Sequence, residues 1–142
     1  AAQPGVERVD HPGLPEHPSH RLARRYLPDG AGSVFTVTLA GEDGVAAARR
    51  FIEALALITH MTHLGDVRSL ALHPASTSHA HLTDAERAAV GVHPGTVRLS
   101  IGIEDVDDLI ADLAGALSAA ETGRVNAGQV AAGRAAAEPV PA

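Results

Sequence analysis

Hydrophobic and polar residues alternate along two stretches of the chain, and the alternation predicts β-strands. In residues 33–40 the odd positions hold phenylalanine, valine and leucine, while valine and threonine fill the even ones. In residues 97–103 the odd positions are again apolar, and the even ones are small or charged. A shorter run, residues 67–72, predicts another strand. Each of the two longer strands therefore has one face suited to a core.

Between residues 33–40 and 67–72 the spacing of apolar residues changes to that of a helix. Leu57 and Met61 lie off the main apolar stripe, so a helix over residues 45–62 is predicted to be apolar around most of its girth and largely buried. Gly65 is expected to end it. The stripe itself has the i, i+3, i+4, i+7 spacing of a helix face and consists of Ala48, Phe51, Ile52, Leu55 and Ile58.

Three further helices are indicated by their termini. Thr83 and Glu86 have the spacing of a capping box, and the short helix that they start is expected to close at Gly91. A short helix is predicted over residues 19–27, and a long one begins at Asp105. The predicted buried stripe of the long helix is Val106, Leu109, Ile110, Leu113 and Leu117.

These elements predict an α+β fold with a mostly antiparallel sheet of about four strands and helices on one face. Residues 1–32 form a leading segment with a short strand and a short helix, and residues 33–117 form the core. The helices are expected to cover the Val97 and Leu99 side of the sheet, which leaves a small, polar and wet face opposite. Residues 118–142 are rich in alanine, glycine and proline, and are predicted to be a disordered tail after a weak helical extension.

Composition narrows the classes of function. A chain of 142 residues fits one domain, and its formal net charge of −6 argues against a nucleic-acid partner. No run of residues is long and apolar enough for a membrane span, and the chain has neither cysteine nor the start of a secretory signal. A cytoplasmic protein without a membrane or nucleic-acid partner is expected.

One charged residue interrupts the apolar strand at 97–103. Arg98 falls in the middle of this strand, on the face away from the predicted core. A guanidinium there needs an anion or a path to solvent, and the sequence offers no obvious buried partner. A surface ion pair is the ordinary alternative for such an arginine. All 11 basic residues of the chain are arginine, so the chain contains no lysine.

Histidine and serine suggest two other kinds of site, and both are disfavoured. His73, His79 and His81 are close in sequence, but no acidic ligand or cysteine joins them at the spacing of a zinc site. Ser76 and His79 lack an acid positioned to orient the histidine for nucleophilic catalysis. No metal site and no catalytic residue is therefore predicted in this chain.

The acidic run at residues 104–108 is interpreted as a solvated helix start, because the helix dipole favours anions at that end. His63 follows the predicted 45–62 helix. Its imidazole either interacts with carbonyl groups at the helix end or lines a pocket, and the sequence alone does not choose between these roles.

Two separate blocks of the chain resemble a known family. The first runs from Val6 to Pro15. The second includes Leu64-Gly65-Asp66, Ser69-Leu70, His73-Pro74-Ala75-Ser76-Thr77-Ser78-His79, Val97-Arg98-Leu99-Ser100-Ile101-Gly102-Ile103-Glu104-Asp105 and Asp108-Leu109-Ile110-Ala111-Asp112-Leu113. Together they resemble the C-terminal domain of the Cys/Met-metabolism enzymes that use pyridoxal phosphate, from about residue 4 to about residue 117.

The resemblance implies roles for specific residues. Arg98, within Val-Arg-Leu-Ser, matches the arginine that binds the α-carboxylate of the amino-acid substrate. His63 stands where the family usually has serine or asparagine in its pocket, and Leu64 and Thr77 are the other expected substrate-binding residues. The family holds its cofactor through a lysine of a large N-terminal domain, so this chain is expected to bind no cofactor and to be inactive alone.

Within the family, the run from Gly65 to Leu70 together with His73 to Thr77 looks most like O-acetylhomoserine sulfhydrylases. These enzymes replace acetate with sulfide to give homocysteine. A methionine or cystathionine γ-lyase, or a cystathionine γ-synthase, is the alternative within the family. A stand-alone, non-catalytic binding or assembly module is the alternative outside it. The expected partners are an amino-acid substrate, the N-terminal cofactor domain and further subunits of a homotetramer.

Overall fold

Strands and helices alternate along residues 3–122, the part of the chain that the computed structural model describes. The predicted tail overlaps the last turn of the final helix, and its remainder lies outside the described residues. The elements in chain order are β1 (Val6–Asp10), α1 (His20–Tyr26), β2 (Val34–Leu39), α2 (Gly44–Ala54), β3 (Thr59–His60), β4 (Leu70–Leu72), a 3-10 turn (Pro74–Ser76), α3 (Asp84–Ala89), β5 (Thr96–Ser100) and α4 (Val106–Thr122).

The strands form one mixed sheet of five, in the order β1-β2-β5-β4-β3. β1 pairs antiparallel with β2, and β5 pairs antiparallel with both β2 and β4. β3 pairs with β4 in parallel. The predicted count of about four strands is one too low, because β3 lies within residues predicted to be helical. β5 is the central strand of the sheet.

The core lies between the sheet and two helices. Val97 and Leu99 are fully buried on the sheet face that α2 and α4 cover, as predicted. The predicted stripe of α4 is wrong at two positions, since Val106 is 63% exposed and Ile110 is 58% exposed. α4 packs against α2, and it buries a face of small residues, Ala116, Ala119 and Ala120, together with Leu109 of the predicted stripe. Small side chains let two helices approach closely, so bulk is not needed along that face.

The second helix ends eight residues earlier than predicted because its next amides bind a carboxylate. Leu55 already has an extended backbone, with φ −62° and ψ 132°. The backbone N–H groups of residues 56–58 donate to the Asp112 carboxylate of α4 at 2.7, 3.1 and 2.9 Å. These amides therefore have no need of helical carbonyl acceptors. The prediction of a helix over 45–62 is wrong beyond Ala54.

The early end of α2 also changes the burial of the residues that follow. Leu57 and Met61 lie outside the helix and are 39% and 38% exposed. The prediction that both are largely buried is therefore wrong.

We expect Asp112→Ala to lower the free energy of unfolding by about 3 kcal/mol. A hydrogen bond to a charged acceptor contributes roughly 1.5–3 kcal/mol, and the sum over the three bonds is reduced because the Asp112 carboxylate is partly exposed. The change leaves three consecutive amides without their acceptor. Denaturant unfolding of the chain measures the effect. Asp29→Ala, in an exposed turn, is the control and should change the midpoint little. A midpoint for Asp112→Ala equal to that of the control contradicts the prediction.

Much of the sheet face opposite the helices is buried rather than wet, contrary to expectation, although Val34 on its edge side is 40% exposed. Leu70, Leu72 and Ser100 on this face are each 1% exposed, and Thr96 is 4% exposed. They lie beneath the loops between the strands, including the segment of residues 62–69 that crosses this side of the sheet. The loops thus enclose polar groups that the sequence pattern assigned to solvent.

The local signals at both ends of α3 are confirmed, whereas Gly65 does not end α2. The Thr83 hydroxyl accepts from the Glu86 amide, and the Glu86 carboxylate accepts from the Thr83 amide at 2.8 Å, which completes the capping box. Gly91 closes α3 with φ +77°, a conformation that favours glycine. None of the helices within residues 3–122 has the length and apolarity required to cross a membrane.

Candidate functional site

Arg98 lies at the centre of the sheet. It is in β5, directly opposite Thr36 of β2 and Leu72 of β4, and it is half-buried. Its Nη2 donates to the main-chain carbonyl oxygens of Thr62 at 3.0 Å and His63 at 3.3 Å. The partner that the sequence did not reveal is therefore a pair of backbone carbonyls. Two acceptors on one nitrogen fix the plane of the guanidinium.

The rest of the Arg98 guanidinium is available to a ligand. Within residues 3–122, its Nε and Nη1 have no acceptor, and no carboxylate pairs with it. Burial lowers the pKa of Arg98, although a guanidinium stays protonated in proteins. The structure thus presents a fixed cation with unused N–H donors at the sheet surface. Planar donors of this kind suit a carboxylate or a phosphate.

The loop beside Arg98 carries two of the predicted pocket residues. His63 and Leu64 are exposed, and Leu64 retains 53% of its accessible surface. The contact of His63 with Arg98 is made by its carbonyl, not by its imidazole. Gly65 follows with φ +71°, and its amide donates to the Ser100 hydroxyl at 3.3 Å. The structure therefore brings His63 and Leu64 next to Arg98.

Glu104, which follows β5, bonds to Ser69, which precedes β4 at the end of the loop that starts at Thr62. Its carboxylate accepts from both the amide and the hydroxyl of Ser69, each at 2.7 Å. The Ser69 hydroxyl in turn accepts from the Gly102 amide at 2.8 Å. These bonds from Ser69 lower the pKa of Glu104. The interpretation of the acidic run as a solvated helix start is wrong for Glu104, whereas Asp105 does cap α4 by accepting from the Asp107 amide at 2.9 Å.

Thr77 directly follows the 3-10 turn Pro74–Ser76, five residues after the end of β4. Its hydroxyl donates to the carbonyl of His73 at 2.7 Å. This bond holds Thr77 to His73, the residue after β4, and makes no contact with Arg98. The half-buried Thr77 hydroxyl keeps its lone pairs for a further donor.

The histidines near Thr77 have structural partners. His73 is 5% exposed, and its ring nitrogens contact Ser76 Oγ at 2.8 Å and the Pro94 carbonyl at 2.7 Å. Ser76 thus pairs with His73 rather than with His79, whose Nδ1 contacts Ser78 Oγ at 2.9 Å. Among residues 3–122, no group of three or more potential ligands could hold a metal ion.

An apolar cavity lies on the helix side of the sheet, away from Arg98. It has a volume of about 400 Å³, and its walls include Val9, Phe35 and Leu113. Such walls offer no charged group to an amino acid or a phosphate. The side of the sheet that carries Arg98 is therefore the better candidate for a site that binds an anion.

Sequence reasoning identified Arg98 and the loop beside it but missed the groups that hold them. Ser69, Ser100 and Glu104 were not singled out as functional residues. The signal for them was weak, since their partners lie more than thirty residues away in the chain. Only Gly102, at an interior position of the predicted 97–103 strand, indicated a close backbone approach.

Comparisons with known proteins agree with the resemblance. The family described as "Cys/Met metabolism PLP-dependent enzyme" matches residues 1–118. The O-acetyl-L-homoserine sulfhydrylase 1 of Thermus thermophilus is 50% identical over 116 residues, which are 82% of this chain and 27% of that protein. The L-methionine gamma-lyase of Pseudomonas putida is 46% identical over 119 residues, which are 84% of this chain and 29% of that protein.

A solved structure adds evidence from the fold. The cystathionine gamma synthase of Xanthomonas oryzae pv. oryzae, in complex with aminoacrylate and cysteine, superposes with a TM-score of 0.77 at 43% identity. The superposition covers 87% of this chain and 31% of that one. The chain therefore spans less than a third of the length of these relatives. It belongs to the family of pyridoxal-phosphate-dependent enzymes of cysteine and methionine metabolism.

Proposed function

We propose that this chain is the C-terminal, substrate-binding part of an O-acetylhomoserine sulfhydrylase, in which Arg98 binds the α-carboxylate of the amino-acid substrate. The observation that carries the proposal is the fixed, half-buried guanidinium with unused donors beside the exposed 63–65 loop. An amino acid always offers a carboxylate, and a planar pair of N–H donors matches its two oxygens. Holding that group orients the rest of the substrate toward the reacting centre.

The cofactor of the family is pyridoxal phosphate, and the residues of this chain do not fit its covalent attachment. Attachment of the aldehyde requires an amine side chain, and the chain contains no lysine. We therefore assign the binding of the cofactor, and the chemistry that it supplies, to the part of the enzyme outside this chain. The chain alone is expected to be inactive. The complete enzyme is proposed to be a cytoplasmic homotetramer.

The neighbours of Arg98 provide candidate determinants of specificity. His63 and Leu64 expose their side chains next to the carbonyl that Arg98 contacts. We propose that both line the pocket and that the imidazole of His63 meets the substrate beyond its carboxylate. Thr77 contributes its half-buried hydroxyl from the end of the 3-10 turn that follows β4. All three roles depend on the carboxylate position that Arg98 sets.

Two observations bear on the choice of reaction within the family. Identity is higher to the Thermus sulfhydrylase, at 50%, than to the Pseudomonas methionine gamma-lyase, at 46%. This favours γ-replacement with sulfide over elimination. A γ-lyase or a cystathionine γ-synthase is the second candidate, supported by the structural match to the Xanthomonas enzyme.

An assay of the full-length protein tests the proposal. O-acetylhomoserine with sulfide is expected to give homocysteine, whereas methionine alone should give little 2-oxo acid and ammonia. Faster breakdown of methionine or cystathionine assigns the chain to the second candidate instead. An upstream reading frame without a lysine-bearing domain would point to a non-catalytic module and overturn the enzymatic proposal.

A further inference from the structure

Four sets of hydrogen bonds connect the 62–69 segment to residues 98–104. The carbonyls of residues 62 and 63 accept from Arg98, and the amide of residue 65 donates to Ser100. The carbonyl of residue 67 accepts from the residue 103 amide at 2.9 Å, and Ser69 bonds to Glu104. These four contacts occur in the same order along both segments, and the Gly102 amide adds a further bond to the Ser69 hydroxyl. The loop that orients Arg98 is thus fixed at intervals along its length.

We propose that Ser100 and Glu104 are positioning residues that set the enzyme's affinity for the substrate carboxylate by holding the 62–69 segment against β5. This inference rests on the proposed role of Arg98. Ser100 holds the loop two residues after the carbonyl of His63, and Glu104 holds its far end. Neither residue needs to touch the substrate.

The two serines that make these connections are shielded from solvent, whereas the loop that they hold is exposed. Ser69 is fully buried and Ser100 is 1% exposed. Gly65 is exposed, so without the Ser100 hydroxyl its amide bonds to solvent and this connection no longer holds the loop against β5. Movement of the loop carries the carbonyls of Thr62 and His63 away from Arg98.

The Ser69 hydroxyl makes the Glu104 contact specific for a carboxylate. The hydroxyl accepts from the Gly102 amide and donates to Glu104 Oε2. A glutamine amide nitrogen in the place of Oε2 is a donor, so the Ser69 proton would face another donor. Glu104→Gln therefore breaks this arrangement while it preserves side-chain size.

The test compares variants of the full-length enzyme. We expect Ser100→Ala and Glu104→Gln each to raise KM for the amino-acid substrate by about tenfold, the upper end of the effect of one hydrogen bond, with a smaller change in kcat. Ser100→Thr, which keeps the hydroxyl, should restore KM. Glu7→Gln, an exposed change on β1, is the matched control for Glu104→Gln. Arg98→Lys, measured in parallel, reports the carboxylate contact itself.

Amide hydrogen exchange in the 142-residue chain gives a readout independent of activity. Faster exchange at Gly65 and Ser69 in both variants, with the control unchanged, supports the inference. Unchanged exchange overturns it. If Arg98→Lys raises KM but Ser100→Ala and Glu104→Gln leave KM unchanged, the inference is also overturned. An unchanged KM in Arg98→Lys overturns the proposed carboxylate role, and with it the inference.

Discussion

Arg98→Ala in the full-length enzyme is expected to lower kcat/KM by a hundredfold or more, equivalent to about 3 kcal/mol, because truncating one partner of a hydrogen-bonded charge pair costs roughly 2–5 kcal/mol. The change removes the cation whose plane is set by the carbonyls of Thr62 and His63. It also leaves the substrate carboxylate without its charged partner. Most of the loss should appear in KM, since the carboxylate is present in both the ground state and the transition state.

Two further variants make the result specific to the geometry of Arg98. Arg98→Lys keeps the charge but not the planar donors, so it should recover only part of the activity. Arg49→Ala removes an arginine that is exposed on α2 and paired with Glu53, and it should leave the kinetics unchanged. Steady-state kinetics with the preferred substrate measures all three. Wild-type KM in Arg98→Ala would show that the carboxylate binds elsewhere.

The second large effect is expected from Gly102→Ala. A Cβ at this position would lie 2.2 Å from the Val67 carbonyl oxygen and 2.6 Å from the Arg68 carbonyl carbon. Both obstacles are backbone, so the 62–69 segment must move as a unit. We expect the free energy of unfolding to fall by about 3 kcal/mol, the upper part of the range for overpacking a well-packed site.

Gly115→Ala is the matched control for this change. Gly115 lies within α4, and a Cβ there would have no neighbour within 4 Å. Replacing a glycine in a helix with alanine should raise stability by roughly 0.5–1 kcal/mol. Gly102→Ala and Gly115→Ala are therefore expected to change the free energy of unfolding in opposite directions, as measured by denaturant unfolding. If Gly102→Ala is as stable as the wild type, the contact between the segments is looser than the structure indicates.

The sequence predicted where apolar side chains go better than it predicted backbone partners. Leu55 and Ile58 continue the apolar period of α2 and are buried, yet they lie beyond its end. Periodicity reports burial, and the same spacing is satisfied by a loop whose amides bind Asp112. The capping box at Thr83 was predictable because both of its bonds are made within four residues. Long-range bonds from a side chain to the backbone have no such local signature.

The candidate site shows the same contrast between a predictable side chain and unpredictable backbone partners. Arg98 was recognisable because a charge interrupts an apolar alternation, and the pattern placed it on the correct face. Its partners were not recognisable, because any residue at positions 62 and 63 supplies a carbonyl. The role of Glu104 was hidden by the neighbouring aspartates, which share its charge but lie in the first turn of α4.

The position of β5 affects how the chain folds as it is synthesised. β5 is the strand that joins β2 to β4, yet it follows them by dozens of residues. Until residues 96–100 leave the ribosome, β2 and β4 each have an edge without its partner, and unpaired edges favour association between chains. A nascent chain that stalls before β5 should therefore aggregate more readily than one that stalls after it. The strand that carries Arg98 also completes the sheet.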